Sequence, residues 1–234
     1  MPVKDYQVAL WRRLLRPVIM ALLRGVFHLL SSVQVTGTEN VPRRQPYMAV
    51  INHVSTFDGP FVGAFWPEIL EAVGAIEVWH RPGQQILAVL YGGIPVHRGD
   101  YDRVMIDRVL AALRSGRPLL IAPEGGRSHR PGLQRAKAGV AYILDEAQVP
   151  IVPVGVVGAT DDFWKRASRL KRPHIEMHIG KTFRLPPIQG RGTERRASRQ
   201  HNADQVMVHI AALLPEAYRG VYAQGVADLD PGGN

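Results

Sequence analysis

Short apolar runs alternate along this chain with stretches of helical periodicity, and this alternation most constrains the fold. The apolar runs have the length of buried strands, whereas the intervening stretches repeat apolar residues with the period of a helix. Strands are predicted at residues 32–37, 47–52, 94–97, 118–122, 151–156 and 175–179, and helices at 58–66, 84–90, 103–115, 136–147 and 203–214. We therefore predict an α/β fold: a single domain with a mixed, mostly parallel central sheet flanked by helices.

Residues 7–30 are apolar and helical in character, but arginines interrupt them at positions 12, 13, 16 and 24. No window offers the ~18 uncharged apolar residues that a membrane-spanning helix needs, and no clean apolar core leads to a signal-peptide cleavage site. We expect one amphipathic helix, or two short helices broken at Pro17, lying in a membrane interface. The alternative is a helix that covers the domain's own core.

Charge and composition narrow the classes of partner. The 234 residues carry 29 Lys and Arg against 20 Asp and Glu, a net charge of +9, which favours a polyanionic partner. Nucleic acid is disfavoured, because we find no recognition-helix or RNP pattern. Cysteine is absent, which excludes disulfides, thiol catalysis and thiolate metal sites. No metal is predicted, since His174 and His178 could share a strand face but have no evident third ligand.

Three polar segments lie outside the predicted elements. Residues 163–172 combine aromatic side chains with five basic ones, and they form either a second membrane-interface patch or a solvated charged loop. Residues 189–200 are polar and contain glycine, which predicts a mobile loop. Residues 223–234 are predicted to be a disordered C-terminal tail.

The first segment with chemical potential is residues 52–58. A predicted buried strand ends in Asn52-His53, and Asp58 opens a helix five residues after the histidine. A regular helix or strand would point such side chains apart, whereas a strand-to-helix turn lets them converge. His53 can then act as a general base while Asp58 orients it. The alternative is structural, because Ser55-x-x-Asp58 is also a capping-box pattern.

Two further segments place special residues at strands. In residues 92–98, two glycines precede a short strand that ends at Arg98, whose guanidinium could fork onto a phosphate. The alternative for Arg98 is a surface ion pair with a nearby aspartate. In residues 149–154, two prolines fall within an apolar strand. Proline cannot donate to a ladder, so we expect an edge strand or one that lines an apolar groove.

The remaining segment, residues 123–128, follows a buried strand and contains two adjacent glycines. These glycines allow N–H groups to face an anion, and Arg127 adds a bidentate donor. Glu124 could orient Arg127 or bond a substrate hydroxyl. Lys137 lies at the start of a predicted helix, where its charge and the helix N-terminus would both attract an anion. The alternative is an ordinary glycine turn with a local Glu–Arg pair.

Together the four segments resemble, in order, the four sequence blocks of the lysophosphatidic acid acyltransferase (1-acyl-sn-glycerol-3-phosphate acyltransferase) family of glycerolipid acyltransferases. Residues 52–58 match the NHxxxxD block, and residues 93–98 match the second block with its terminal arginine. Residues 124–128 match the EGTRS-like block, with Gly126 where threonine is usual, and residues 149–154 match the apolar VPxxPV block. Four ordered blocks are far more specific than any one of them.

The resemblance implies a role for each block. His53 would deprotonate the acceptor hydroxyl for direct attack on the acyl donor, and Asp58 would orient His53. The acceptor phosphate would be held by Arg98, Glu124, Gly125, Gly126, Arg127, Ser128 and Lys137. The acyl-donor side of the site would be formed by Pro150, Ile151, Val152 and Pro153. Many relatives carry a lysine between the first two blocks, whereas residues 74–81 contain none, so oxyanion donors would come from elsewhere.

The resemblance also implies partners and location. They are a lysophospholipid acceptor, acyl-CoA or acyl-carrier protein as co-substrate without a further cofactor, and an anionic membrane surface. Residues 1–31 would dock the protein peripherally, as a monotopic enzyme, on the cytoplasmic face of a membrane, and residues 32–222 would form the acyltransferase domain. The alternatives are another acceptor, such as a different lysolipid, glycerol-3-phosphate or an acylated amino-acid lipid, or a non-catalytic lipid-binding protein of the same fold.

Overall fold

A seven-stranded sheet forms the centre of the computed structural model, which describes residues 6–97 and 102–227. The strands are β1 (Ser32–Thr36), β2 (Met48–Ile51), β3 (Glu71–Ala75), β4 (Ile94–Val96), β5 (Leu119–Ile121), β6 (Ile151–Val157) and β7 (His174–Ile179). The helices are α1 (Leu10–Leu30), α2 (Asp58–Phe65), α3 (Gln84–Tyr91), α4 (Arg103–Arg114), α5 (Gly139–Ala147), α6 (Phe163–Ala167) and α7 (Gly192–Ala212). Short 3-10 helices occupy Thr38–Asn40, Ile76–His80, Glu216–Tyr218 and Gly220–Tyr222.

The strand order in the sheet is β1-β7-β6-β2-β5-β3-β4. The five strands from β6 to β4 in that order are mutually parallel, whereas β7 is antiparallel to β6 and pairs in parallel with β1. The predicted α/β fold with a mixed, mostly parallel sheet is confirmed. Parallel strands end at one edge of a sheet, so the segments that follow β2 and β5 are brought together there.

Strand β2 shows why the sheet carries helices on both faces. Its four residues, Met48–Ile51, are each at most 3% exposed. Met48 and Val50 pack in a core with α4, α5 and α7, whereas Ala49 and Ile51 pack in a second core with α1, α2 and α6. Successive strand residues point to opposite faces, so a continuous apolar run needs cover on both sides.

Strand β6 is central, lying between β7 and β2, so the prediction of an edge strand for the fourth block is wrong. The carbonyls of Ile151 and Pro153 accept hydrogen bonds from Phe183 and Gly180, in the segment after β7. The N–H and C=O of one strand residue point the same way, so the missing donor of Pro153 also faces that segment. The ladder between β6 and β2 is therefore uninterrupted.

Helix α7 begins at Gly192, so the prediction of a mobile loop for residues 189–200 is wrong. Arg195 forms an ion pair with Asp145 of α5 at 3.9 Å, and the guanidinium of Arg199 lies 5.3 Å from the Tyr142 ring centroid. The polar composition indicated a loop, but packing against α5 selects the helix. Strand β3 and the short helix α6 are further elements that the sequence patterns did not predict.

The chain after α7 continues as packed turns. The Tyr222 hydroxyl accepts the N–H of Ala136 at 2.9 Å and donates to Asp204 at 2.7 Å, while Val226 packs against the core. Residues 223–227 of the predicted tail are thus in contact with the domain. Residues 228–234 lie outside the described part of the chain.

Helix α1 is one continuous helix with Pro17 inside it, which decides between its two predicted forms. Its inner side is buried at Ile19, Met20 and Phe27, so it covers the core. Its outer side carries apolar side chains at helical spacing, each at least 45% exposed, here called the outer stripe: Leu10, Trp11, Leu14, Val18, Leu22, Val26 and Leu29. Among the described residues, no helix has the length and apolar character needed to cross a membrane.

Arg16 of α1 points into the protein. Its Nη1 and Nη2 donate to Oε1 and Oε2 of Glu71 at 2.7 and 2.9 Å, and both side chains are 1% exposed. Its Nε donates to the carbonyl of Tyr91 at 2.8 Å. Glu71 opens β3 and Tyr91 ends α3, so this arginine fastens α1 to both elements instead of reaching towards a membrane.

Candidate active site

The side chain of Asn52 sets the position at which β2 ends. Its amide donates to the carbonyl of Val156 at 2.8 Å, and its carbonyl accepts the N–H of Val156 at 2.7 Å. A side chain thus continues the pairing of β2 with β6 by one residue. The next residue, His53, leaves the sheet at a defined point, with its side chain 21% exposed.

His53 and Asp58 converge across the turn that joins β2 to α2. Nδ1 of His53 lies 3.1 Å from Oδ2 of Asp58. The same oxygen accepts the main-chain N–H of Ser55 at 2.8 Å. The N-cap of α2 is Phe57, so this bond stabilises the turn before the helix, and it exists together with the His–Asp contact. Because a carboxylate accepts but does not donate, Nδ1 carries the histidine proton and Nε2 keeps a lone pair.

Asp58 is fully buried. Burial raises the pKa of Asp58 above its ordinary value, while the bonds from His53 and from the N–H of Ser55 act in the opposite direction. Its Oδ1 has no hydrogen-bond partner among the described residues. A carboxylate in such surroundings is stabilised by a positive charge on His53, and it therefore favours the imidazolium that forms when the histidine takes a proton.

Glu124 supports His53 and does not face an open anion site. Its Oε1 accepts the main-chain N–H of His53 at 2.8 Å, and its Oε2 accepts that of Gln134 at 2.8 Å. The residue is 3% exposed, and burial raises the pKa of Glu124 to about 7. A buried carboxylate with both oxygens engaged does not suit contact with a phosphate. The contact with the acceptor phosphate that the resemblance implies for Glu124 stays a prediction.

The rest of the third block also holds the main chain of His53. The N–H of Ser128 donates to the His53 carbonyl at 2.8 Å, and the N–H of His129 donates to the next carbonyl along. The hydroxyl of Ser128 donates to the carbonyl of Arg130 at 2.6 Å. His53 is therefore fixed on both sides, at its N–H by Glu124 and at its C=O by Ser128.

Arg127, Gly125 and Lys137 lie at the open side of this turn. Nη1 of Arg127 donates to the Thr56 hydroxyl at 2.5 Å. Gly125 has φ of 69°, and a Cβ there would lie 3.0 Å from Cγ of Lys137, so the lysine stem passes over the glycine. Around Gly126, a Cβ would meet no atom within 4 Å. The two glycines thus leave space beside the two cations.

A cavity of about 440 Å³ opens next to these groups. Its walls come from α1, α2, α3, α6 and β3, and most of the lining is apolar. Residues from separate parts of the wall are Met20, Phe27, Trp79, Tyr91, His53 and Arg127. A largely apolar cavity with a histidine and a guanidinium in its lining suits a molecule that has a hydrocarbon chain and an anionic head.

Some predicted site residues are not brought to this cavity. Arg98 lies outside the described residues. Pro150 precedes β6, and Ile151, Val152 and Pro153 lie within it. These four residues build the sheet and do not line the cavity. Their contact with an acyl donor stays a prediction.

The structure also adds residues that the sequence did not single out. Thr56 holds Arg127, and Met20 and Phe27 of α1 form part of the cavity wall. The helical period of residues 7–30 showed that α1 has an inner side, but it did not show what that side encloses. Asn52 stood in the first block without a role of its own.

Known proteins resemble this chain in sequence and in fold. A family model described as Acyltransferase matches residues 32–157, more than half of the chain. The human protein named 1-acyl-sn-glycerol-3-phosphate acyltransferase alpha is 27% identical over 163 residues, which are 68% of this chain and 56% of the human protein. The lyso-ornithine lipid O-acyltransferase of Pseudomonas aeruginosa is 30% identical over 164 residues, which are 65% of this chain and 63% of that protein.

A solved structure shows a similar fold. The crystal structure of the 1-acyl-sn-glycerophosphate (LPA) acyltransferase PlsC from Thermotoga maritima superposes with a TM-score of 0.59 at 21% identity, covering 83% of this chain and 79% of that one. The chain spans 56% of the length of the human relative, so the two are similar over a shared region. Because the family match covers more than half of the chain, we conclude that the protein belongs to the acyltransferase family.

Proposed function

We propose that the protein is a membrane-associated acyltransferase that moves a fatty acyl group from acyl-CoA or acyl-carrier protein to the free hydroxyl of 1-acylglycerol-3-phosphate, giving phosphatidic acid. The observation that carries the proposal is the His53–Asp58 pair, 3.1 Å apart, beside a largely apolar cavity of about 440 Å³. A general base next to a cavity for hydrocarbon suits the transfer of a fatty acyl group. The human relative is named as a 1-acyl-sn-glycerol-3-phosphate acyltransferase, and this similarity supports the proposed acceptor.

The chemistry needs no covalent enzyme intermediate. Nε2 of His53 takes the proton of the acceptor hydroxyl while the hydroxyl oxygen attacks the thioester carbonyl carbon. A C–O bond forms, the C–S bond breaks as the tetrahedral intermediate collapses, and the thiolate leaves. The thiolate takes the proton held by His53, which returns the base to its neutral form. Asp58 stabilises the imidazolium between these steps.

The cations beside the base would bind the acceptor phosphate. Arg127 offers a planar fork that matches phosphate oxygens, and Lys137 offers a compact charge. Gly125 and Gly126 leave space for the head group on the same side. Arg98, at the end of the second block, remains part of this proposal as a further phosphate ligand.

A second acceptor is supported by one comparison. The Pseudomonas relative, at 30% identity, is named for a lyso-ornithine lipid. An acceptor with an amino-acid head offers a carboxylate where the first candidate offers a phosphate, and a guanidinium fork can bind either group, so identification of the product separates the two candidates. The proposed attachment to the membrane is the same in both cases.

The outer stripe of α1 supports peripheral attachment to a membrane. Its seven exposed apolar side chains follow one side of a 21-residue helix, and soluble surfaces rarely carry so continuous an apolar patch. Arg13 is exposed on the same helix and can reach anionic head groups, whereas Nε of Arg24 donates to the carbonyl of Ala64 at 2.8 Å. We propose attachment at the cytoplasmic face, where acyl-CoA and acyl-carrier protein are available.

The test is identification of the product by mass spectrometry with thiol release measured in parallel. The purified full chain is incubated with 1-acylglycerol-3-phosphate, glycerol-3-phosphate, lyso-ornithine lipid and phosphate-free monoacylglycerol, with acyl-CoA and acyl-carrier protein in separate reactions. We expect phosphatidic acid and one thiol per product, both abolished by His53→Ala. Product from lyso-ornithine lipid alone would support the second acceptor. Lipid binding without any thiol release would identify a non-catalytic lipid-binding protein.

A further inference from the structure

Helix α6 and the turn that follows it expose two large apolar side chains, one in the helix and one in the turn. Trp164 is 57% exposed and Leu170 is 86% exposed. Leu170 has φ of 56°, and its N–H donates to the carbonyl of Ala167 at 2.9 Å, so the main chain holds it in the left-handed region. That conformation is unfavourable for leucine, and full exposure leaves its apolar surface in water. Among the described residues, Leu170 alone combines a positive φ with an exposed large apolar side chain.

The same turn is fastened to the C-terminal end of α1. Nη2 of Arg172 donates to the carbonyls of His28 and Ser31 at 3.1 and 3.2 Å, where the helix leaves carbonyls without partners. Below the surface, the rings of Phe163 and Phe27 are 5.8 Å apart. The exposed turn and the end of the outer stripe are therefore neighbours joined by hydrogen bonds and a ring contact.

The neighbouring elements meet at the mouth of the cavity. Val26 of the outer stripe and Trp164 both line the cavity while remaining partly exposed. Leu29, 75% exposed, lies one turn further along α1. The apolar surface of α1 thus continues across the mouth onto the turn after α6.

Cations surround the apolar side chains of this turn. Lys165, Arg169 and Lys171 are exposed, and none of the three takes part in an ion pair with another described residue. Flexible cationic side chains around a tryptophan and a leucine have the chemistry of an anionic lipid surface, because the apolar groups enter the interface while the cations reach the head groups.

We propose that residues 164–171 and the C-terminal half of α1 form one docking surface for an anionic lipid bilayer around the mouth of the cavity. The choice of a bilayer as occupant builds on the proposed function, and it adds a second anchor at the side of the protein where His53 and Arg127 line the cavity. A lysolipid acceptor would then enter from the leaflet, with its chain passing into the cavity and its head group remaining beside Arg127.

Vesicle co-sedimentation tests the charge. The triple variant Lys165→Gln, Arg169→Gln, Lys171→Gln is compared with Arg114→Gln, Arg191→Gln, Arg196→Gln, which removes the same charge from exposed sites elsewhere. Each basic residue near an anionic surface contributes about a fivefold gain in binding, so the first triple should bind phosphatidylglycerol-containing vesicles about 100-fold less tightly. The control triple should stay near wild type. Equal losses of vesicle affinity in the two triple variants would mean that only the net charge of the protein matters, and this would overturn the proposal.

Two further measurements complete the test. Trp164→Ala with Leu170→Ser should weaken binding by at least about tenfold on phosphatidylcholine vesicles with or without phosphatidylglycerol, whereas Val104→Ser on α4 should not. Unchanged binding in the Trp164 and Leu170 variant would overturn the proposal. The proposal would also be overturned if the variant at Lys165, Arg169 and Lys171 lost affinity for acyl-carrier protein while keeping its affinity for vesicles. Turnover of detergent-dispersed acceptor is measured for each variant and reports the proposed function separately from docking.

Discussion

The carboxylate of Glu124 accepts the main-chain N–H of His53 at 2.8 Å, across 71 positions of sequence. Its second oxygen is engaged by the N–H of Gln134, so both sides of the carboxylate face donors. The base is thus held through its main chain by the third block, and its imidazole is oriented separately by Asp58. Two independent supports fix one side chain, which is what a general base needs when small misplacements reduce the rate.

Replacing Glu124 with glutamine tests this support. A glutamine amide keeps one acceptor, but its NH₂ would face one of the two N–H donors, leaving a buried donor unsatisfied. We expect Glu124→Gln to lower kcat by about 10- to 100-fold while the acceptor KM stays within about twofold. The exposed Glu146→Gln removes the same charge and should behave as wild type. A raised acceptor KM with unchanged kcat would instead mean that Glu124 contacts the acceptor.

The same residue predicts a pH dependence. Burial raises the pKa of Glu124 from its ordinary value of 4.5 to about 7, so the folded protein binds the proton more tightly than the unfolded chain. Its contribution to the free energy of unfolding therefore falls as pH rises from about 4.5 to about 7. Activity should rise through that window, because only the ionised carboxylate accepts both N–H groups. His53 is present in wild type and in Glu124→Gln, so the difference between their pH–rate profiles reports Glu124.

The catalytic pair has its own prediction. His53→Ala should lower turnover by about 10²–10⁴-fold with acceptor binding retained, because the histidine lies in a turn and is partly exposed. Asp58→Asn should also be severe, and it should destabilise the fold by about 1–3 kcal/mol because a buried NH₂ replaces a carboxylate oxygen. His174→Ala, which removes a histidine paired with Glu176 on β7, is the matched control. A folded His53→Ala that keeps more than about a tenth of wild-type turnover would exclude general-base catalysis by this residue.

Arg127 should act on the acceptor and not on the donor. Arg127→Ala is expected to raise the acceptor KM by about 10- to 100-fold, with a smaller change for the acyl donor, because a charge-assisted fork is lost. Arg127→Lys should recover only part of this, since an ammonium group lacks the planar fork. Thr56→Val removes the hydroxyl that holds the guanidinium and should give a milder increase. Wild-type activity that is equal on phosphate-free monoacylglycerol would argue against any phosphate contact.

The parts of the fold that could be predicted from sequence are those set by local pattern. The run Met48–Ile51 is apolar at every position, which predicts a strand covered on both faces. A turn after this strand was the one geometry that could bring the side chains of His53 and Asp58 together. Strand β3 was missed because Glu71 and Gly74 break its apolar pattern. The carboxylate of Glu71 pairs with the guanidinium of Arg16, which lies 55 positions away, and no local sequence pattern reveals that contact.

A sequence motif identifies residues, but it does not show which of their atoms interact or with which partners. The third block singled out Glu124 and Ser128, but their partners are main-chain groups of His53, which leave no trace in sequence. The start of α7 was missed for a related reason, since its polar residues become helical through contacts with α5. Tertiary partners decide these cases, whereas periodicity reports only local order.

The buried ion pair between Arg16 and Glu71 predicts an asymmetry in stability. Arg16→Met should lower the free energy of unfolding by about 3–5 kcal/mol, because it leaves a buried carboxylate with only the weaker contacts of Arg117 and Tyr6. The double variant Arg16→Met, Glu71→Leu removes both charges and should recover most of the loss. Chemical denaturation measures both. Equal destabilisation in the single and double variants would show that packing, and not charge, holds α1 in place.

The outer stripe should anchor the protein without contributing to catalysis, but deletion of α1 cannot show this. Met20 and Phe27 line the cavity and Arg16 neutralises Glu71, so removing residues 1–31 would open the site and expose the core. The role of the outer stripe is therefore tested by point variants of its exposed side chains.

Leu14→Ser, Leu22→Ser and Leu29→Ser together change only side chains that are at least 67% exposed. Each substitution removes about 1.5–3 kcal/mol of the favourable free energy that a leucine gains on entering a bilayer. The triple variant should therefore be released from vesicles for the most part. Turnover on detergent-dispersed acceptor should stay near wild type, whereas turnover on bilayer-embedded acceptor should fall with binding. High salt should weaken wild-type binding without abolishing it, because salt screens the cations but not the apolar contacts. If the folded triple variant binds vesicles as tightly as wild type, the outer stripe is not the anchor, and the turn after α6 would have to carry attachment alone.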